Sequence, residues 1–279
     1  MKVSVVTPVF NGMPWVEFCV RSVADQGEAV LEHLIQDGGS KDETISRCNR
    51  LNQNGILRLI SEKDEGMYDA INRGFRKAKG DLVLHLNCDE QLLPGALDKV
   101  IPFFESHPEI EMAFGYVLVV NPSGNLLCYR KTLLPTLWHT QVSHLATLTA
   151  ATFYRKSTIE KYDLYFDTSY KVLGDADLIC RALKQGVKMA ILPEYTSAFT
   201  ITGSNLSNDQ RAVPERVRMA MQAPWPVRKL VKPLKIWHRI TRMLGGVYTQ
   251  SALDYRIYTP ENPSSRKAFH VEKPNFRWG

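Results

Sequence analysis

The sequence is poor in the features that announce several large protein classes. Its five cysteines, Cys19, Cys48, Cys88, Cys128 and Cys180, are odd in number and scattered. No CxxC or Cys/His spacing suggests zinc, and reduced thiols fit best. Neither GxGxxG nor GxxxxGK[ST] occurs, which argues against a dinucleotide dehydrogenase and a P-loop kinase. No run approaches the roughly 18 to 20 apolar residues that a membrane span needs. The opening MKVSVVTPVFNG has too short an apolar stretch for a secretion signal and no cleavage site behind it. The expectation is a cytoplasmic protein. No repeat, low-complexity tract or nucleic-acid module is present, so the net charge of +6 is not read as a nucleic-acid footprint.

What is there suits a soluble globular protein. A chain of 279 residues, 44% hydrophobic and 23% charged, can bury one α/β core without staples and add a tail. The first half alternates, with strands expected over 2–7, 33–36, 57–61 and 82–86. Helices are expected over 14–24, 40–52, 68–77 and 94–106, the second opened by a capping box of Ser40 and Glu43. This order predicts a largely parallel sheet covered by helices, with ligands outside the carboxyl ends of its strands. In the second half strands are expected over 112–119, 126–130, 149–154 and 188–192, and a helix over 175–185. After Ser204 the pattern turns helical and basic.

The strand ends carry the chemistry. After the first comes Thr7-Pro8-Val9-Phe10-Asn11-Gly12, where Pro fixes the chain and Asn offers both donor and acceptor. After the second, Asp37-Gly38-Gly39-Ser40 is either a plain turn or a carboxylate for a nucleobase N–H or ribose hydroxyl. The third is followed by a charged loop, 61–66, and a helix whose Tyr68, Ile71 and Asn72 share a face. After the fourth, Asn87-Cys88-Asp89-Glu90 emerges from an apolar run. Two adjacent acids there repel each other, and a divalent cation relieves this; oxygen ligands suit Mg²⁺ or Mn²⁺.

Together these segments resemble the family 2 glycosyltransferases, most of all the bacterial members that build capsule, lipopolysaccharide or exopolysaccharide. Further matching text is Lys79-Gly80-Asp81, Thr152-Phe153-Tyr154-Arg155-Lys156, Phe166-Asp167 and Asp175-Ala176-Asp177-Leu178. The likeness covers about residues 2 to 205. It implies an α/β GT-A fold, a Rossmann-like, mostly parallel sheet flanked by helices. Residues 1–205 would form the transferase domain, 1–90 binding the nucleotide and 91–205 the acceptor. Residues 206–279 would form a basic helical extension. The implied reaction is inverting transfer of a hexosyl or N-acetylhexosaminyl group from a nucleotide sugar, UDP-linked by family frequency. The acceptor is a hydroxyl of a glycan or lipid-linked sugar, and Mg²⁺ or Mn²⁺ assists.

By position, the resemblance places Thr7, Pro8, Asn11, Asp37 and Cys88 around the nucleotide, with Asp64 and Asn72 closing over it. Asp89 matches the metal-binding acid, with Glu90 beside it, although the first acid of that pattern is Asn87 here. Asp175 matches the general base. The acid that often precedes it is Gly174 here, which makes Asp177 a rival. His144 is either an acceptor contact or an ordinary half-buried histidine. A non-catalytic nucleotide-sugar-binding module is the alternative; it would keep Asp37 and Asp89 and lack a working base. A nucleotidyltransferase would need a glycine-rich basic loop that is missing. In the tail, Trp225, Lys229, Lys232, Lys235, Trp237 and Arg239 alternate with Leu and Ile. That segment either docks on anionic lipid at the inner face of the cytoplasmic membrane or packs on the domain with its basic side in water.

Overall fold

The first strand, β1 (Val3–Val9), is buried at every position, as a strand covered by helices on both faces must be. The computed structural model describes residues 1–52, 55–203, 205 and 210–277. After β1 come α1 (Trp15–Ala24), β2 (Val30–Asp37), α2 (Thr44–Leu51), β3 (Leu57–Ser61), α3 (Met67–Lys77) and β4 (Leu82–His85). The order β3-β2-β1-β4 is parallel throughout, so all four strand ends open on one edge. The chain continues through β5 (Glu90–Leu92), α4 (Ala96–Ser106), β6 (Met112–Val120), β7 (Leu126–Arg130), α5 (Leu137–Val142), β8 (Thr152–Arg155), α6 (Lys156–Lys161), α7 (Gly174–Lys184) and β9 (Met189–Thr200). Among the described residues the sheet has nine strands, ordered β3-β2-β1-β4-β8-β6-β9-β5, with β7 beside β6. β8 runs antiparallel to both its neighbours, whereas β6 and β9 are parallel. The expected α/β class and its helix-covered sheet are borne out.

One face of the sheet buries Val6, Leu34 and Val83 against Ile71 and Phe75 of α3. The other buries Val5 and Leu84 against Cys19 and Leu97. Contact with α3 is close. A β-carbon on Gly74 would lie 2.2 Å from Val6 Cγ1, an overpacking that costs about 1–3 kcal/mol in a filled core.

Three expectations are corrected. The helix expected from 40 starts only at Thr44, because Ser40 Oγ accepts the Asn11 N–H at 2.7 Å and Asp42 accepts that of Thr44 at 3.0 Å. The strand expected to end at 192 runs to Thr200. Pro193 lies within it, where the β6–β9 register slips between Phe114 and Tyr116, and a bulge is where a strand tolerates proline. The extension is helical only in part. After α8 (Ala212–Met221), α9 (Trp225–Lys229) and α10 (Val231–Leu244) comes a hairpin of β10 (Leu253–Thr259) and β11 (Asn262–Val271). Its Tyr255 and Ile257 pack on Leu118 and Tyr129, and Gln91 exchanges hydrogen bonds of 2.8 and 2.9 Å with the Tyr258 backbone. The change of pattern expected after Ser204 falls at Ser204 and 206–209, outside the described residues. Among the described residues no helix is long and apolar enough to cross a membrane.

Candidate active site

The loops after β1 and β2 are stitched together by their own side chains. Asn11 has a left-handed backbone, φ 50°, which Asn accepts more readily than most residues. Its Oδ1 accepts the Lys41 N–H at 2.9 Å, and the Gly12 N–H reaches Thr44 Oγ1 at 2.9 Å. Asp37 is 1% exposed. Its Oδ2 accepts the N–H groups of Gly39 and Ser40 at 3.0 Å and the Ser61 hydroxyl at 2.6 Å, tying β2 to β3. Its Oδ1 is buried with no donor, a state that costs free energy until a donor arrives. Asp64 accepts the Gly66 N–H at 2.9 Å. A β-carbon on Gly38 would lie 2.7 Å from Asp64 Oδ2, so glycine at 38 is what lets the two loops meet.

Above these loops lies a cavity of about 1070 Å³, walled by Asn11, Gly38 and Asp64, by Cys88 and Asp89, and by the α5–α7 segment with Asp175. Asp89 Oδ2 accepts a hydrogen bond from Asn205 Nδ2 at 2.8 Å. Glu90 is turned back instead: its carboxylate accepts the Asn87 backbone N–H at 2.8 Å and Nδ2 at 3.2 Å. Burial pushes both carboxyls above the ordinary range, and Asp89 pushes Glu90 further. Asn87 Oδ1 is buried without a partner. A buried carboxylate beside an orphaned amide oxygen is an oxygen donor set that fits Mg²⁺ or Mn²⁺.

Asp175 stands in the first turn of α7, where burial raises its carboxyl to about 6. The turn is held from two sides. Tyr68 Oη accepts the Gly174 N–H at 3.0 Å and donates to the Val172 carbonyl at 2.8 Å. Glu215 of α8 accepts the Val172 and Leu173 N–H groups at 3.0 and 2.8 Å. A β-carbon on Gly174 would lie 2.6 Å from the Tyr68 ring, so any side chain there would have to displace that ring.

Of the residues expected at the nucleotide, Pro8, Asn11, Asp64 and Cys88 line the cavity, as do Asp89, Asp175 and His144. Three do not. Thr7 is fully buried, its hydroxyl 2.8 Å from His33 Nε2. Asn72 exchanges two hydrogen bonds of 2.8 Å with the Phe166 backbone, fastening α3 to the approach of α7. Asp37 sits behind Gly38 as a brace. Asp177, the alternative to Asp175 in the sequence, pairs with Arg181 at 2.8 Å and does not line the cavity. Sequence reasoning missed Glu215 and Asn205. The signal for Glu215 was available: it is the only acid in the sequence between Asp209 and Asp254, amid many basic residues. None marked Asn205.

The sequence model of the family described as "Glycosyl transferase family 2" matches residues 4–154. The chain belongs to that family. Family membership makes it a glycosyltransferase, and relatives agree in kind. It is 26% identical over 249 residues to the "PGL/p-HBAD biosynthesis glycosyltransferase" of Mycobacterium bovis BCG, covering 85% of this chain and 91% of that one. It is 29% identical over 126 residues to the chondroitin synthase of Pasteurella multocida, covering 45% of this chain and only 13% of that larger protein. Among solved structures, S. aureus TarS 1-349 in complex with UDP-GlcNAc superposes with a TM-score of 0.64 at 17% identity, over 88% of this chain and 75% of that one. The mannosyltransferase PcManGT from Pyrobaculum calidifontis, in complex with GDP-Man and Mn²⁺, gives 0.61 at 14% identity, over 85% and 69%. These likenesses place the fold in the GT-A class.

Proposed function

We propose that the chain transfers one sugar, with inversion, from a UDP-linked donor to a hydroxyl of a glycan or lipid-linked acceptor in bacterial surface polysaccharide synthesis. The observation that carries this reading is the convergence of Asp64, Asp89 and Asp175 on one cavity at the strand ends. Pro8, Asn11 and Gly38 would hold the base and ribose, with Asp37 behind them fixing the turn through the Gly39 and Ser40 N–H groups. Asp89 and the Asn87 amide would hold Mg²⁺ or Mn²⁺, which supplies charge neutralisation for the departing diphosphate. Asp175 would take the proton of the acceptor hydroxyl. Attack from the side opposite the leaving group inverts the anomeric carbon and needs no enzyme nucleophile. The TarS complex holds UDP-GlcNAc and the PcManGT complex GDP-Man, so the nucleotide is a matter for measurement. UDP-sugars with Mn²⁺ are expected to raise the melting temperature, since binding at 100 times Kd adds about 2.7 kcal/mol. Acceptor-dependent release of UDP should follow. A protein that responds to no nucleoside diphosphate, or only to GDP, overturns the donor assignment. The non-catalytic alternative would lack a working base, whereas Asp175 lines the cavity here and the Tyr68 ring accounts for glycine at 174.

The extension supports a peripheral membrane contact. On α10, Ile236, Ile240, Met243 and Leu244 are exposed along one helical face with Trp237, and Lys232, Lys235 and Arg239 are exposed on the same helix. Apolar and cationic residues together match an anionic headgroup boundary. The protein is expected to sediment with vesicles of phosphatidylglycerol and not of phosphatidylcholine alone. Sedimentation that survives Ile236→Ser with Trp237→Ser would assign the contact elsewhere.

A further inference from the structure

The start of α7, which carries Asp175, has no cap of its own. Its N-cap residue, Leu173, makes no side-chain hydrogen bond to the backbone. The N–H groups at a helix start still need acceptors, and other elements bring them. Glu215, in the first turn of α8, serves three. Its Oε2 accepts the N–H groups of Val172 and Leu173 at 3.0 and 2.8 Å, and its Oε1 accepts that of Lys171 at 2.5 Å. Tyr68 Oη takes the next one, from Gly174. Hydrogen bonds to an ionised acceptor are about twice as strong as neutral ones, and a helix start favours a negative charge. α8 is seated for this contact. Glu215, Arg218 and Gln222 share one helical face, and all three reach the segment 167–173. Arg218 donates to Ser169 Oγ at 2.8 Å and to Asp167 Oδ2 at 3.2 Å, with its guanidinium 4.2 Å from the centre of the Tyr170 ring. Gln222 donates to Tyr170 Oη at 3.1 Å.

We propose that Glu215 is a positioning residue for the transfer: by holding the N–H groups of Lys171, Val172 and Leu173 it fixes where the Asp175 carboxylate stands. Asp175 is the second residue of α7, so a shift of the backbone ahead of it moves it directly. The Ala176 N–H that holds its carboxylate at 2.8 Å belongs to the same turn and moves with it. Restraint comes from outside the turn, from Tyr68 of α3 and Glu215 of α8. Ala212, Arg216 and Met219 of α8 line the cavity and Glu215 does not, so it acts through the backbone it holds and not on a ligand. This role rests on Asp175 being the base, as proposed above; the grip on the backbone does not.

The test is a double-mutant cycle on the full chain. Turnover is read as release of UDP from UDP-glucose and UDP-GlcNAc in Mn²⁺, with water taking the sugar, so no acceptor need be known. Glu215→Ala is expected to lower kcat by about 10- to 100-fold, the scale of a reacting group displaced by about 1 Å, with UDP affinity unchanged. In an Asp175→Asn protein the same change should alter kcat by no more than about two-fold, because residues that act as a unit do not add. Glu215→Gln keeps one acceptor oxygen for Val172 and Leu173 and should fall between wild type and the Ala variant; it carries the cycle where the Ala variant folds poorly. Amide hydrogen exchange should quicken over 171–174 in Glu215→Ala and stay unchanged in β1 and β2. An equal fold loss in both backgrounds overturns the proposal, because a general loss of structure multiplies through either. Unchanged exchange over 171–174 overturns it as well. A wild type that binds no UDP and releases none sinks the donor reading instead, and exchange still decides whether Glu215 holds the turn.

Discussion

Replacing Asp175 by Asn is expected to lower kcat by ~10² to 10⁴, the usual worth of a positioned general base, with donor affinity unchanged. Asn keeps the shape and the hydrogen bond from the Ala176 N–H, 2.8 Å in the native site, but cannot take a proton. The pH profile gives a second handle. The Asp175 carboxyl is raised to about 6, and the base must be ionised to work. The wild-type rate should therefore climb as pH rises through about 6, level off above it, and fall away in acid. Stability runs the other way. A carboxyl whose folded value lies above its unfolded value of about 3.9 favours the fold below that value, and this contribution is lost as pH rises through 6. At neutral pH the native carboxylate is thus held at a cost of no more than about 3 kcal/mol, and Asp175→Asn should melt no lower than wild type. A variant with near-normal kcat and intact donor binding would show the wrong residue was chosen. One that melts early would show that Asn disturbs the turn built by Tyr68 and Glu215.

That turn shows where the sequence was legible and where it was not. Short motifs at strand ends could be read because a parallel sheet puts its ligand at one edge, whatever the loops do in detail. Within a motif, spacing does not tell which side chain faces the ligand. Tyr68 and Asn72 are one helical turn apart and both buried, yet Tyr68 lines the cavity and Asn72 serves a backbone. Thr7 and Pro8 are neighbours in a strand, so they point to opposite faces, and only Pro8 reaches the cavity. β5 was hidden because its buried residues include Glu90 and Gln91, satisfied by Asn87 and by the Tyr258 backbone rather than by apolar packing. The β10–β11 hairpin alternates buried and exposed residues, but its arginines and lysines read as more of the basic tail.

Residues from Asn205 onward also change what the cavity is built from. Glu215 reaches back from α8 to hold the backbone ahead of Asp175, and Asn205 reaches Asp89. Neither partner lies inside the stretch matched by the family model, 4–154, and nor does Asp175 itself. The loops after β1 and β2 are joined by contacts among neighbouring motifs. Other walls of the cavity depend on contacts made across more than a hundred residues of chain, Asn205 to Asp89 and Gly174 to Tyr68 among them, which single-sequence periodicity does not register.

The other large effect is expected at Asp89. Asp89→Ala should weaken the donor strongly in Mn²⁺, lower kcat/KM by ~10³-fold or more, and change donor affinity little in chelator. The magnitude follows from several kcal/mol of charge stabilisation, each 1.36 kcal/mol being ten-fold in rate. The reason for expecting so much from one carboxylate is the disposition of its neighbours. Glu90 is spent on Asn87, so it cannot take over, and the orphaned Asn87 Oδ1 is a neutral oxygen that cannot hold a dication alone. Removing Asp89 also removes the charge that pushes the Glu90 carboxyl upward, so the variant should fold at least as well as wild type, which separates loss of metal from loss of structure. Titrating Mn²⁺ and UDP-sugar against both proteins, with and without chelator, decides the matter. If Asp89→Ala weakens the donor equally in both conditions, the carboxylate acts on the nucleotide directly and no ion lies between them.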